Sequence, residues 1–334
     1  ELEMDIDTDW MPSAGAIETD AYVPDLEAAN TAVKIGYAHI GSGVDFHKIV
    51  FDGFEAAAAQ VPDMELMLLD HNYDPATAID NVQIMINEGV DAAIIYQCDV
   101  SANDTIGAML READIPTVVI DCPIPGTPFF GGNNSIAGRV GGVELGERFL
   151  EIGWDPEKTG YVWFEASISA EANELRLQGY TDGLLEVVPD FPEDNIFRVD
   201  TESSAEDTLD KASAWLAAHP EFDHLLIGAL HDGPAQGAYQ ALLADPAGRL
   251  TESIIVSQGC DGTAQGFIRD NDPTFVGSVD YGPGLYGFNS ISMALDLLNG
   301  DPVPAFWYAN HVNCEADTVD ELYPNGEVQY PWES

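Results

Sequence analysis

The sequence predicts an α/β protein with two doubly wound parallel sheets, each in a lobe of its own. Three observations lead to this fold class: a length of 334 residues, a hydrophobic fraction of 46%, and a regular alternation of short apolar runs with longer amphipathic runs. The length is about twice that of an ordinary domain. The hydrophobic fraction is typical of globular proteins with real cores. Strands that alternate with helices of such length form βαβ units and a parallel sheet.

The first lobe is predicted to follow an acidic segment, residues 1–32, that Pro12 and Pro24 interrupt. We predict that this segment is an extended leader or tether, with Trp10, Met11 and Tyr22 docking on the folded body. Helices are predicted where apolar residues recur every three or four positions, and strands where they run together. The predicted elements are strand 33–39, helix 46–60, strand 66–70, helix 75–88, strand 91–96, helix 101–113 and strand 116–121.

The same alternation restarts at residue 135 and predicts a second Rossmann-like lobe. Each lobe is expected to bind ligand at the carboxyl ends of its strands. Two such edges facing each other across a hinge would form a cleft. The predicted elements are helix 135–152, strand 159–165, helix 170–188, strand 195–199, helix 205–219, strand 224–228, helix 234–243, strand 254–258, helix 262–270, strand 276–280, helix 284–299 and strand 305–312.

The charge of the chain excludes one class of partner. The sequence has 59 acidic and 11 basic residues, a formal net charge of −48, spread along its whole length. Such a surface repels phosphate backbones and anionic lipids, so we expect no nucleic-acid partner. The acid excess is interpreted as adaptation to a salty medium, or as the composition of an acidic lineage. No apolar stretch approaches the roughly 18 residues that cross a bilayer.

Several catalytic and cofactor motifs are absent or incomplete. Gly41-Ser42-Gly43 lacks the third glycine of a dinucleotide fingerprint, since Phe46 stands there. The segment 70–81 begins like a calcium loop but has Pro75 and Asn81 at positions that require glycine and glutamate. No HExxH or GxSxG motif occurs. The sequence therefore predicts no cofactor, no metal and no enzymatic activity.

Five segments, in order and at compatible spacing, resemble those of type I periplasmic solute-binding proteins, specifically the sugar-binding branch with the ribose- and galactose-binding proteins. The resemblance covers residues 33–325. The segments are Asp45-Phe46-His47 with Asp52-Gly53, Asn87-Glu88-Gly89-Val90-Asp91-Ala92-Ala93-Ile94-Ile95, Ile115-Pro116-Thr117-Val118-Val119-Ile120-Asp121, Gly132-Asn133-Asn134 with Gly138, and Cys260-Asp261-Gly262-Thr263.

The resemblance implies discontinuous lobes joined by a three-strand hinge. The chain would cross near 132–133, 280–281 and 310–312. The N-terminal lobe would then comprise residues 33–132 and 281–310, and the C-terminal lobe residues 133–280 and 311–334. In this fold the third and fourth strands are neighbours, so Cys98 and Cys122 are expected within disulfide reach. Cys260 and Cys314 are the remaining pair.

In the first lobe the resemblance assigns Phe46 and His47 to the family's aromatic stacking pair, with histidine replacing the second aromatic. The alternatives are a core role for Phe46 and a solvated turn for His47. Asp121 matches the aspartate that holds sugar hydroxyls, or else it caps a turn. The arginine that usually follows this aspartate is replaced by Cys122.

In the second lobe the resemblance assigns His231, Asp232 and Asp261 to the ligand, and at the hinge it assigns Tyr281. Asp261 also suits the N-cap of the helix that begins at residue 262. Glu174 falls where ribose-type proteins carry an arginine, and Asn173 and Arg176 are alternatives to it.

These residues predict an acidic cleft that takes a neutral sugar or sugar alcohol, because carboxylates accept hydrogen bonds from hydroxyls and repel acid sugars. A cationic ligand is the next possibility. The predicted function is carbohydrate binding by hinge closure and delivery to the permease of an ABC transporter, by a monomer. The alternative is a receptor for chemotaxis or signalling. A start at Glu1 without an apolar segment is expected of a mature form whose signal peptide has been removed, located in the periplasm or outside the cell, with a lipid anchor as one option.

Overall fold

The computed structural model of the protein describes residues 10–27, 32–167 and 170–333. The chain divides into two compact units. The first runs to Gly132 and includes Gly282–Ala309, and the second comprises Asn133–Tyr281 and continues from Asn310. Each unit contains one six-stranded, largely parallel sheet, so the predicted α/β fold class is confirmed. The predicted lobes placed Tyr281 and Asn310 in the first unit, whereas both belong to the second.

The first unit is a parallel sheet covered by helices. Its strand order is β11-β5-β4-β3-β1-β2, and every pair is parallel. The strands are β1 (Lys34–His39), β2 (Glu65–Asp70), β3 (Ala92–Ile95), β4 (Thr117–Ile120), β5 (Phe129–Gly131) and β11 (Phe306–Tyr308); the helices are α1 (Asp45–Ala58), α2 (Pro75–Glu88), α3 (Val100–Glu112) and α9 (Tyr286–Asn299). Strand β5 was not predicted, because three residues show no periodicity.

The second unit has the same plan with one reversed strand. Its order is β12-β10-β9-β8-β6-β7, and β12 runs antiparallel to β10. The strands are β6 (Thr159–Glu165), β7 (Ile196–Asp200), β8 (His224–Ala229), β9 (Ser253–Gly259), β10 (Phe275–Asp280) and β12 (Val312–Glu315); the helices are α4 (Asn134–Ile152), α5 (Ala170–Val187), α6 (Ala205–Ala218), α7 (Asp232–Leu243), α8 (Gly262–Arg269) and α10 (Val319–Leu322). The single strand predicted over 305–312 was wrong. It is two strands, β11 and β12, because the chain passes from one unit to the other at Asn310.

Helices α4 and α5 pack with their backbones almost in contact. A Cβ atom on Gly142 would lie 2.1 Å from the carbonyl oxygen of Tyr180, and one on Gly183 would lie 2.4 Å from that of Arg139. Only glycine permits this approach. The close packing brings Arg176 on α5 to the start of α4, where its Nε donates to Asn134 Oδ1 at 2.8 Å.

The segment 10–27 packs on the first unit. Met11 is buried, and Val303 N donates to Ser13 O at 3.0 Å. The Tyr22 hydroxyl donates to Asp296 Oδ2 at 2.6 Å, and the Arg111 guanidinium lies 5.8 Å from the ring centre of Trp10. The predicted docking of Trp10, Met11 and Tyr22 on the folded body is therefore present in the structure. The rest of the predicted leader, residues 1–9 and 28–31, lies outside the described residues.

The charge imbalance predicts a strong salt dependence of stability. If each of the 11 basic residues paired with one of the 59 acidic residues, 48 carboxylates would still lack a cation (59 − 11). Their repulsion disfavours the compact state more than the expanded unfolded chain. We expect the free energy of unfolding to rise between about 0.1 and 1 M NaCl, where the Debye length falls from about 10 Å to about 3 Å. Urea titrations at fixed salt concentrations measure this effect, and KCl at equal ionic strength should act alike. A midpoint that does not rise with salt contradicts the prediction.

Candidate ligand-binding site

The loops after the strands of the first unit bring the predicted residues of that lobe to one edge of the sheet. Phe46 and His47 lie in the first turn of α1, which follows β1. Tyr96 directly follows β3, and Asp121 directly follows β4. The carboxyl ends of parallel strands are where open α/β sheets bind ligands.

The carboxylate of Asp121 is held by protein donors on both oxygens. Tyr96 donates to Oδ2 at 2.7 Å, while Tyr286 and the Gly132 N–H both donate to Oδ1 at 3.0 Å. Burial, together with the adjacent charge of Asp121, raises the pKa of Tyr96 well above its ordinary value, so this hydroxyl keeps its proton and donates. Each carboxylate oxygen can accept two hydrogen bonds. A half-buried carboxylate in this setting is a fixed acceptor for hydroxyl groups.

Phe46 and His47 belong to an aromatic cluster at the same edge. The Phe46 ring meets the Tyr286 ring edge-on, with 5.7 Å between the centroids, and the His47 ring meets that of Tyr96 at 5.3 Å. His47 Nδ1 lies 2.9 Å from the Tyr73 hydroxyl. None of these three tyrosines was predicted from the sequence as a site residue. Tyr96 could have been found from its place at a strand end, but Tyr286 is brought here from a distant helix.

In the second unit Asp261 caps helix α8, as one of its two predicted roles requires. Its Oδ1 accepts from the N–H groups of Thr263 at 2.9 Å and Ala264 at 3.1 Å. The carboxylate is half-buried. A cap fixes the orientation of a side chain, so this role is compatible with ligand binding.

Asp232 lies beneath Asp261 and is almost fully buried, at 2% exposure. Its Oδ1 accepts from Ser257 and Ser278, and its Oδ2 accepts from the Asp261 N–H at 2.8 Å. Burial and the nearby charge of Asp261 raise the pKa of Asp232 well above its ordinary value. These bonds join the ends of β9 and β10 to the loop that carries Asp261. Because Asp232 accepts from the backbone N–H of Asp261, it holds the backbone that carries the Asp261 carboxylate.

His231 is a neutral side chain at the N-cap of α7. Its Nδ1 accepts from the Gly233 N–H at 3.1 Å, so the proton is on Nε2, which donates to Ser203 Oγ at 2.7 Å. Burial, with the positive charge of Arg176 nearby, lowers the pKa of His231 to about 4. His231 therefore brings no positive charge to this edge at neutral pH.

Arg176 supplies a cation at the carboxyl edge of the second unit. Its guanidinium lies 4.9 Å from the ring centre of Tyr281 and donates to Leu230 O at 2.7 Å. Leu230 follows β8 and Tyr281 follows β10. The ring of His311 lies 4.5 Å from that of Tyr281, and burial lowers the pKa of His311 to about 4. His311 was not singled out from the sequence, because only the fold brings it to Tyr281.

The sequence left three alternatives open, Asn173, Glu174 and Arg176. The structure places Arg176 beside Tyr281 and Leu230. Glu174 is exposed and pairs with Arg198 at 2.5 Å, a contact that lowers the pKa of Glu174. Asn173 is buried and donates to Glu165 Oε2 at 3.0 Å. The structure thus favours Arg176 over the selected Glu174, since Glu174 is committed to a neighbouring arginine.

The structure contains both expected disulfides, Cys98–Cys122 in the first unit and Cys260–Cys314 in the second. The Cα atoms of the two pairs are 5.1 and 6.2 Å apart. Within the described ranges, no three His, Cys, Asp or Glu side chains are grouped as a metal site requires. Nor does any helix of those ranges combine the length and apolar content needed to cross a bilayer.

A family model described as a periplasmic binding protein domain matches residues 35–302. The chain belongs to this family. Periplasmic binding proteins are binding proteins rather than enzymes, and the family implies an extracytoplasmic location. This match confirms the resemblance to periplasmic solute-binding proteins that was inferred from the five sequence segments.

Individual relatives of this periplasmic binding protein are distant in sequence. A xylitol-binding protein of Mycolicibacterium smegmatis is 25% identical over 265 residues, which are 75% of this chain and 69% of the relative. A solute-binding protein of an ABC transporter from Actinobacillus succinogenes, solved with D-allose, has a TM-score of 0.74 at 19% identity and covers 86% of this chain and 99% of its own. Another from Bacillus halodurans, solved with myo-inositol, has a TM-score of 0.73 at 20% identity and covers 88% and 98%. The two structures establish the shared fold.

Proposed function

We propose that this periplasmic binding protein binds a neutral sugar or sugar alcohol at the carboxyl edges of its two sheets. The observation that carries the proposal is the carboxylate of Asp121, held by two buried tyrosine hydroxyls beside the rings of Phe46 and His47. Sugars present hydroxyl donors around their rim and C–H groups on their faces. A fixed carboxylate next to aromatic rings suits both kinds of group.

The charges at the two edges favour a neutral ligand. Asp121 and Asp261 are carboxylates, and His231 and His311 are neutral because burial lowers their pKa values to about 4. In the second unit Arg176 is a cation at the carboxyl edge, and it already donates to Leu230 and Asn134. A sugar acid or sugar phosphate would meet the repulsion of the carboxylates without a full counter-charge.

The relatives support the same ligand class. The ligands in their descriptions are xylitol, D-allose and myo-inositol, all of them neutral and rich in hydroxyl groups. We further propose delivery of the sugar to an ABC permease by a monomer that acts in the periplasm or outside the cell, with a lipid anchor as one arrangement. Hinge closure stays a prediction from the sequence, and small-angle scattering with and without ligand tests it.

A thermal-shift screen tests the proposed ligand class. We expect at least one neutral compound among xylitol, myo-inositol, D-allose and D-ribose to raise the melting temperature, because a ligand at 100 times its Kd stabilises the native state by about 2.7 kcal/mol. For domains of this size the shift is about 5 °C or more. Gluconate, glucose 6-phosphate and glucosamine serve as charged comparisons at matched ionic strength. Stabilisation by the charged compounds alone would refute a neutral ligand.

A further inference from the structure

Each disulfide contains a cysteine that adjoins a candidate ligand carboxylate. Cys122 directly follows Asp121, and Cys260 directly precedes Asp261. Asp121 and Cys260 both have left-handed backbone conformations, with φ of 56° and 48°. Residues other than glycine keep such conformations only where the surrounding structure holds them. Each disulfide therefore helps to hold the backbone that places one of the two carboxylates.

The two disulfides differ in their exposure to solvent. Cys98 is exposed and Cys122 is half-buried, whereas Cys260 and Cys314 are each 0% exposed. A thiolate must reach a sulfur atom to open a disulfide. A dithiol in solution can therefore reach the Cys98–Cys122 bond in the folded protein, while the Cys260–Cys314 bond is shielded.

The accessible disulfide joins the same two strand ends as the hydrogen bond from Tyr96 to Asp121. Cys98 lies two residues after Tyr96, at the end of β3, and Cys122 lies one residue after Asp121, at the end of β4. Opening the S–S bond frees these ends to separate. The 2.7 Å bond between Tyr96 and Asp121 would then link these two strand ends without covalent support.

Other contacts keep the loop beyond Cys122 in place when the disulfide opens. Ile124 is 1% exposed, and the guanidinium of Arg111 donates to Pro125 O at 3.3 Å. Asn103 Nδ2 donates to Pro123 O at 3.5 Å. We therefore expect a local change at Asp121 rather than loss of the fold.

We propose that the Cys98–Cys122 disulfide positions Asp121 and makes ligand affinity depend on its oxidation state. In the reductive step a dithiol breaks the S–S bond, each cysteine sulfur gains one electron and one proton, and the dithiol becomes a cyclic disulfide. Cys98 and Cys122 are positioning residues in this scheme. The dependence of ligand affinity on the oxidation state rests on the proposed function. The positioning of Asp121 by the disulfide does not.

The first test needs no ligand. Amide hydrogen exchange by NMR is compared among the oxidised protein, the same protein treated with dithiothreitol, and C98A/C122A. The Gly132 amide donates to Asp121 Oδ1, so its exchange reports the placement of that carboxylate. We expect it to exchange about 3- to 10-fold faster in the reduced protein and in the variant. The Thr263 and Ala264 amides, which Asp261 caps beside the buried disulfide, should not change. Unchanged exchange at Gly132 overturns the positioning role.

The second test measures affinity. Xylitol, myo-inositol and D-allose are titrated calorimetrically into the same three proteins, whose folding is checked by circular dichroism. We expect about 3- to 10-fold weaker binding after reduction and in C98A/C122A, the effect of losing preorganisation at one side chain. Reoxidation should restore the affinity of the wild-type protein only. Val82→Ala, a fully buried position on α2, is the control for lost stability and should keep the affinity.

The outcomes separate the two proposals. If the oxidised protein binds none of these three compounds and only charged compounds stabilise it in the thermal-shift screen, the proposed function fails, and exchange at Gly132 still decides the positioning role. If the oxidised and reduced proteins bind a polyol equally well, the redox dependence of affinity is refuted while the proposed function stands.

Discussion

Replacing Asp121 or Asp261 by alanine is expected to weaken sugar binding by about 2 kcal/mol or more, which is roughly 30-fold in Kd. Each carboxylate is held by protein donors in a fixed orientation at the carboxyl edge of its sheet. Hydrogen bonds from hydroxyl groups to a charged acceptor are stronger than those to a neutral one. Isothermal titration with the best ligand of the thermal-shift screen measures the loss.

The two variants require different controls. Asp261→Ala also removes the cap of α8, so Asp155→Ala serves as its match, because Asp155 caps the short turn Pro156–Lys158 at the amino end of β6. This control should lose a little stability and keep its affinity. For Asp121, the change to asparagine keeps the shape of the side chain and removes the charge, and it should lose part of the affinity. Unchanged binding in both alanine variants would show that the candidate site is misplaced.

Replacing Arg249 by alanine is expected to lower the free energy of unfolding by about 3–5 kcal/mol, the largest stability effect we predict for one substitution. Arg249 is 5% exposed and pairs with Asp245 at 2.7 Å. Its guanidinium also donates to the carbonyl oxygens of Leu216 at 2.8 Å and His219 at 2.9 Å, at the end of α6. Without the guanidinium the buried Asp245 carboxylate loses its cation, and these carbonyl oxygens lose a donor. Urea titration at fixed salt measures the change.

Arg139→Ala is the matched control for this prediction. Arg139 makes a two-pronged ion pair with Glu186, and both side chains are about half exposed. The same charge is removed at a solvated site, so we expect a loss below about 1 kcal/mol. Equal losses in the two variants would show that charge rather than burial determines the effect.

The Arg249 variant should also respond differently to acid. Burial pushes the pKa of Asp245 upward, but hydrogen bonds and charge from Arg249 outweigh it and hold the pKa below its ordinary value of 3.8. This carboxylate therefore contributes stability above pH 3.8, which is lost as the pH falls through the depressed value. Without Arg249 the contribution is absent. The stability of the variant should fall less steeply than that of the wild type below about pH 4.

Local patterns were enough to predict the alternation of strands and helices. They also placed Asp121 and Asp261 at strand ends, because a residue that follows an apolar strand lies at the sheet edge. Patterns failed where an element was too short or spanned a crossing between units. Strand β5 has three residues, and the run over 305–312 is divided between two sheets.

Two partners of the candidate site, Tyr286 and His311, lay beyond any local pattern. Tyr286 donates to Asp121 across 165 positions of the chain, and His311 lies against Tyr281, which is 30 positions away. Arg176 could be preferred to Glu174 as a candidate ligand residue only because the structure shows Glu174 paired with Arg198.

By itself the sequence determined the fold class, the family and the acidic surface, because these depend on composition, periodicity and short ordered motifs. Only the tertiary structure decided which donors hold each carboxylate, which residue of 173–176 reaches the edge, and which disulfide solvent can reach. These features depend on contacts between residues far apart in the chain, and such contacts are set by how helices and strands pack.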